Sequence, residues 1–371
     1  MFSIFPIALV YTRQMLSICA QCLSYWKSGI DISLKTPSDP TMAKLFINTN
    51  WAHLIDMRGY DPSRYRGYTH APAIRFSNAN EQALAVDKML DILLAAIQHF
   101  KRDDIRYIEW AINEITDNVI NHSSSNVGGI LQVTNMRQRE QIEIVVADAG
   151  HGIPGTLRAT HPEFQTDAEA LDAAIREGVT RDKRIGQGNG LYGTWSICQK
   201  TNGIFSIFSG VASLFSPEEG NVQISNNSIP YSGAVVSARI GYSSTFDLSR
   251  ALTFSGKPHI PTDYIDTHFD LDDSGNATFF LKNESVGFGS RAAGDPVRRK
   301  LISLLGFQDN IRILIDLSDV VLVSSSYADE VFGKLFVELG PVGFMTRVEL
   351  KNVDPLVKNL IDRAIIQRMN V

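Results

Sequence analysis

Between residues 81 and 240 the apolar residues change period several times, and the order of those changes admits few architectures. Glu81 to Phe100 carries Leu84, Val86, Met89, Leu90, Leu93, Leu94 and Ile97 at the three-and-four spacing of an amphipathic helix, and Tyr107 to Asn121 predicts a second helix. Gly129 to Val133 and Gln141 to Ala147 predict a hairpin-like pair of strands. Helices are expected over Thr166–Glu177 and Leu191–Lys200, and strands over Gly203–Ser209 and Ala234–Ile240. This order predicts an α+β sandwich, a mixed sheet with helices on one face.

On the amino-terminal side, residues 1–70 predict a short α/β segment: helix Thr12–Trp26, strand Ile30–Leu34 and helix Thr41–Leu54. On the other side, residues 243–272 are expected to be a linker, acidic at Asp266, Asp270 and Asp272. Residues 273–371 then alternate. Strands at Ala277–Leu281, Ile311–Leu317 and Arg347–Lys351 are interleaved with helices at Asp295–Leu305, Ser325–Leu339 and Pro355–Met369, the pattern of a small α/β domain.

With 35 Lys and Arg against 40 Asp and Glu the chain is mildly acidic, which argues against direct nucleic-acid binding. At 44% hydrophobic residues, global disorder is excluded. Three cysteines cannot build a disulfide framework and fit a reducing cytoplasm. Cys19 and Cys22 form a Cys-x-x-Cys, but without the further ligands of a zinc site or the strand before a redox motif, so two small hydrophobes on one helix is the expectation. Phe2 to Val10, the most membrane-like stretch, lacks a basic start and is far shorter than the roughly 20 residues of a spanning helix.

Three clusters carry chemistry. Glu114, Asn118 and His122 lie four apart and form one polar ridge on the second helix, suited to a hydrated Mg²⁺ beside phosphate or, more plainly, to a solvated face. The apolar run Ile144–Ala147 ends in Asp148-Ala149-Gly150-His151-Gly152-Ile153, where a carboxylate can accept from a flat amino donor and glycines let backbone approach; an ordinary turn has the same composition. Gly186-Gln187-Gly188-Asn189-Gly190-Leu191 leads into a helix whose amino terminus suits phosphate, or serves as a flexible loop.

Taken in this order, the clusters resemble the Bergerat-fold (GHKL) ATPases, the superfamily of DNA gyrase, a heat-shock chaperone, histidine kinases and a mismatch-repair ATPase, and look closest to the anti-sigma-factor serine kinases. The resemblance covers residues 75–242 and implies a Bergerat-type sandwich that binds ATP and Mg²⁺. It implies that Asn118 binds Mg²⁺, that Glu114 activates water or a hydroxyl and reaches the ion through water, and that His122 is the basic end of the first motif. Asp148 would bind adenine, with Gly150, Gly152 and Ile153 in its turn, while Gly186, Gly188, Asn189, Gly190 and Leu191 would form the phosphate lid. The family's late Gly-Thr is replaced by Gly233-Ala234, which removes a hydroxyl near the adenine. Related ATPases often dimerise, so a homodimer is one assembly the resemblance allows; the protein partner stays unspecified.

Ile313–Val320 followed by Ser324-Ser325-Ser326 resembles a STAS-like domain, the fold of anti-sigma-factor antagonists, in which a serine at this turn is phosphorylated. Ser325 and Ser326 are the candidate phosphoacceptors; capping of the helix that follows is the competing role. The first 70 residues are expected to be a degenerate copy of the same module. The function expected from all this is a cytoplasmic ATPase or protein serine kinase acting in signalling, or alternatively a non-catalytic ATP sensor.

Overall fold

The computed structural model describes residues 12–65, 71–98, 100–179, 188–242, 248, 251–262, 264–269, 276–307 and 311–369. Two compact units result: Met1–Met89 with Tyr107–Pro261, and Leu90–Arg106 with Thr262–Val371. Phe2–Val10, Gly186, Asp270 and Asp272 lie outside the described residues, as does the side chain of Asp266.

The first unit opens with helices α1 (Thr12–Lys27), α2 (Pro40–Asn48) and α3 (Trp51–Ile55), then a short strand β1 (Ile74–Phe76) that the sequence pattern did not predict. Helices α4 (Ala79–Ala96) and α5 (Arg102–Asn118) follow, α4 from Leu90 onward and α5 up to Arg106 belonging to the second unit, and α5 ends in a π-helical turn, Val119–Ser123. Next come β2 (Gly129–Met136), β3 (Gln141–Asp148), α6 (Gly152–Arg158), α7 (Asp167–Ala174), α8 (Gly190–Lys200), β4 (Phe205–Ser216), β5 (Gln223–Gly241) and a small hairpin of β6 (Thr253–Phe254) and β7 (Lys257–Pro258).

The sheet runs β1-β2-β3-β5-β4, and every pairing in it is antiparallel, which corrects the expected mixed sheet. Nor are the helices confined to one face. All eight residues of β3 are buried, because its two faces are both covered. Val145 and Ala147, with Ile130 and Val235, pack on Leu16, Cys19 and Trp51 of the amino-terminal helices. Val146 and Asp148 face the opposite side, toward α5 and α8.

The expected strand Ile30–Leu34 does not form. At its end side chains take the place of a partner strand: the Leu34 N–H donates to Asp56 (3.0 Å) and the Leu34 carbonyl accepts from Tyr60 (3.1 Å), while the Ile30 N–H donates to the Tyr25 carbonyl. The expected helix Thr41–Leu54 breaks at Asn50, which takes φ +68°. Its amide accepts from the Ser63 N–H and donates to the Ala73 carbonyl, knotting three segments together. Residues 251–261, expected within a linker, belong to the first unit, with Ala251 and Leu252 buried.

The second unit contains α9 (Tyr264–His268), β8 (Ala277–Phe280), α10 (Leu281–Glu284), α11 (Arg291–Gly306), β9 (Ile313–Asp316), α12 (Ser325–Ala328), α13 (Lys334–Arg347), β10 (Val348–Lys351) and α14 (Pro355–Met369). Its sheet, β10-β9-β8, is parallel. The single helix expected over Ser325–Leu339 is interrupted by a π-helical segment, Asp329–Gly333, and α13 kinks at Gly340, φ +70°, ahead of Pro341. Asp329 is gripped by Arg368 at 2.8 and 2.9 Å and by Arg291 at 2.9 Å.

Candidate functional site

One cleft in the first unit, about 400 Å³, is lined by Glu114, Asn118 and His122 of the α5 ridge, by Asp148, Gly152 and Ile153 after β3, and by Gly188, Asn189, Gly190 and Leu191 at the start of α8. The three clusters, separated by up to 77 residues in sequence, therefore converge. Gly150 lies behind this wall: a side chain there would overlap the Ser123 carbonyl, so the turn sits directly on the end of the α5 ridge. The neighbouring His151 N–H donates to that carbonyl at 2.8 Å.

Asp148 ends β3 and is almost wholly buried. Its Oδ1 accepts from the Gly150 N–H at 2.7 Å, and the Ala234 N–H also donates to the carboxylate. Burial nonetheless dominates and pushes the carboxyl up to about 6. The Asp148 carbonyl accepts from the Tyr231 hydroxyl at 2.8 Å, which fixes the strand end from behind. Such a carboxylate, recessed between close-packed backbone, can receive a planar amino donor.

Glu114 is half-buried, and burial followed by the nearby charge of Asp117 pushes its carboxyl up to about 7. Asp117 is itself held by Gln82 of α4 at 2.6 Å. Four residues along the ridge, Asn118 has a buried Nδ2 with no hydrogen-bond partner among the described residues. Asn118 lines the cleft, and an unmet N–H donor there can be satisfied by a ligand oxygen. At the amino terminus of α8, Asn189 makes no side-chain cap, and the first residues of that helix, Gly190 and Leu191, line the cleft. Gly188, φ +76°, packs on the backbone of Gly178 and Val179, and the Asn189 Oδ1 accepts from the Gly178 N–H at 3.1 Å. The Asn118 Nδ2 and the amides at the start of α8 could donate to phosphate oxygens, and the Asn118 Oδ1 and Glu114 carboxylate could hold a cation.

Sequence reasoning missed several residues here. Trp110, one turn before Glu114, continues the ridge, and Phe254 and His259 of the β6–β7 hairpin also line the cleft. The Ser255-Gly256 pair was a hairpin signal. Ser209 had none: its hydroxyl accepts from the Ile153 N–H (2.9 Å) and donates to the Gly233 carbonyl (2.6 Å). Ala234 lines the cleft as well.

Elsewhere, Cys19 is buried, and burial pushes the Cys22 thiol up to about 11. Asp91, His268 and Glu284 of the second unit have metal-ligand spacing, but Lys300 already reaches Asp91 (2.9 Å) and Glu284 (2.7 Å) and supplies the cation. The turn before α12 is capped by Ser324, whose hydroxyl accepts from the Tyr327 N–H at 3.0 Å, rather than by either of its neighbours. Ser325 is exposed, and Ser326 is half-buried against the Ser324 hydroxyl.

Residues 293–358 match a family described as a STAS-like domain of unknown function (DUF4325). The carboxy-terminal region therefore contains a STAS-like domain. No curated protein matches the chain. Among the described residues no helix is long and apolar enough to cross a membrane.

Proposed function

We propose that the chain is a Mg-ATP-binding regulatory protein of the GHKL superfamily. It hydrolyses ATP or phosphorylates a protein serine, and its nucleotide state governs partner binding through the STAS-like region. The observation that carries this reading is the convergence of the Glu114–Asn118–His122 ridge, Asp148 and the amino terminus of α8 on one cleft.

In this reading Asp148 accepts from the adenine amino group, and the first amides of α8 receive phosphate oxygens. Asn118 supplies an oxygen ligand to Mg²⁺, with Glu114 reaching the ion through water. The bound ion offsets negative charge on the phosphates. Deprotonated Glu114 takes the proton from the attacking water or serine hydroxyl, a role for which a carboxyl titrating near 7 is well matched.

The methyl of Ala234 at the adenine wall favours a second reading, a sensor that binds nucleotide without turnover. Calorimetric titration with Mg-ATP on the native chain, Asn118→Ala and Asp148→Asn tests binding, and absence of binding to the native chain refutes both readings. Labelled ATP separates them: free phosphate marks an ATPase, phosphoprotein marks a kinase, and neither marks a sensor.

A further inference from the structure

We propose that the β6–β7 hairpin carries the subsite for the nucleotide's terminal phosphate, with His259 as its binding residue. This rests on the nucleotide reading above and adds a residue outside the 75–242 span of the resemblance.

His122, Asn118, Glu114 and Trp110 all line the cleft, each four residues from the next. Within α5 a rise of 1.5 Å per residue makes the steps from Trp110 to Glu114 and from Glu114 to Asn118 about 6 Å each along the cleft, and the π-helical turn carries His122 beyond them. Asp148 lies at the His122 end, where its turn is bonded to Ser123, whereas Gly190 of α8 lies against Glu114. A nucleotide with its base at Asp148 and its phosphates at α8 thus points its last phosphate toward Trp110. There the ring of Trp110 meets those of Phe254 and His259, each at 6.3 Å, and Phe254 and His259 stand 5.8 Å apart.

The described residues lining the cleft include the carboxylates Glu114, Asp117 and Asp148 and no lysine or arginine. Their basic side chains are His122 and His259, and His122 lies two helical turns from Glu114, toward the base end. A terminal phosphate is the most charged part of the ligand, and His259 is the imidazole at its end of the cleft. An imidazole N–H can donate to phosphate oxygens.

The hairpin is also built to hold that ring in place. Its turn, Ser255-Gly256, has φ +50° and +76°, both positive as a type I′ turn requires. Leu252 is buried against Gly193 of α8, and the Ser196 hydroxyl donates to the Ala251 carbonyl at 2.7 Å. The His259 N–H donates to the Leu252 carbonyl at 2.8 Å, and the backbone and hydroxyl of Ser255 donate to the Glu177 carboxylate.

The test is calorimetry on the full chain with Mg-ADP and with a non-hydrolysable Mg-ATP analogue, comparing native protein with His259→Phe and His259→Ala. The phenylalanine keeps the ring packing and loses the donor. Analogue affinity is expected to fall about tenfold in both variants, with ADP affinity unchanged within about twofold. An unchanged ratio of analogue to ADP affinity overturns the subsite while leaving nucleotide binding standing. A native chain that binds neither ligand overturns the nucleotide reading and the subsite with it.

Discussion

The Cα of Gly190, first residue of α8, lies against the Glu114 carboxylate so closely that a methyl group added there would overlap Oε2. The helix terminus and the candidate base are thereby held side by side, although 76 residues separate them in the chain.

Gly190→Ala is expected to displace that carboxylate without unfolding the protein, because the overlapping atom ends a flexible side chain. ATP turnover should fall roughly 10- to 100-fold. Stability in denaturant should stay within about 1 kcal/mol of native. Turnover assays paired with urea titration check both, and an unaltered rate would remove Glu114 from the reaction.

The Glu114 carboxyl, raised to about 7 by burial and then by Asp117, sets the pH dependence. A base works deprotonated, so turnover should climb with pH through about 7 and then level off. The folded protein holds this proton more tightly than the unfolded chain, so the group's contribution to stability is present below the unfolded value and lost as pH rises through 7. Glu114→Gln should abolish turnover, retain nucleotide binding and stabilise the protein by roughly 1 kcal/mol at pH 8 but not at pH 4. A flat rate profile between pH 6 and 8 would contradict this.

Gly233 takes φ +114°, and a side chain there would overlap the Asp148 carbonyl. Gly233→Ala forces both a strained backbone and a shift of the strand end. A loss of roughly 2–4 kcal/mol is expected. Asp148→Asn, by contrast, keeps the shape of the site; it should fold normally and weaken Mg-ATP binding about 10- to 100-fold. Thermal unfolding and calorimetry on the two variants distinguish a packing role from a binding role.

The Trp51 indole is buried on the second face of the sheet and donates to Gln132 at 2.8 Å. Trp51→Ala should cost about 3–5 kcal/mol. Removing residues 1–60 would expose Ile130, Val145 and Val235, so the shortened chain should be insoluble or lack a cooperative melt. A well-folded truncated protein would show that this segment is dispensable for the sheet.

Much of the secondary structure was legible in the residue pattern. The helical spacing of Leu84 to Ile97, the strand at Gln141–Ala147 and the alternation after residue 277 appear in the structure with end shifts of a few residues. The ridge of Glu114, Asn118 and His122 was legible too, because a period of four is local geometry. The unbroken apolar run Ile144–Ala147 fits a strand covered on both faces, since a one-faced strand alternates, but the expectation of helices on one face passed over it. What covers the second face was not legible: Ile30–Leu34 has strand composition, but a strand needs a partner, and Asp56 and Tyr60 took its backbone bonds instead. The antiparallel order β1-β2-β3-β5-β4, the arrival of Phe254 and His259 at Trp110, and the meeting of Glu114 with Gly190 all depend on which distant segments pack together. Local spacing is set by the geometry of one helix or strand. Long-range contact is set by competition among many surfaces for burial, and only the folded chain resolves it.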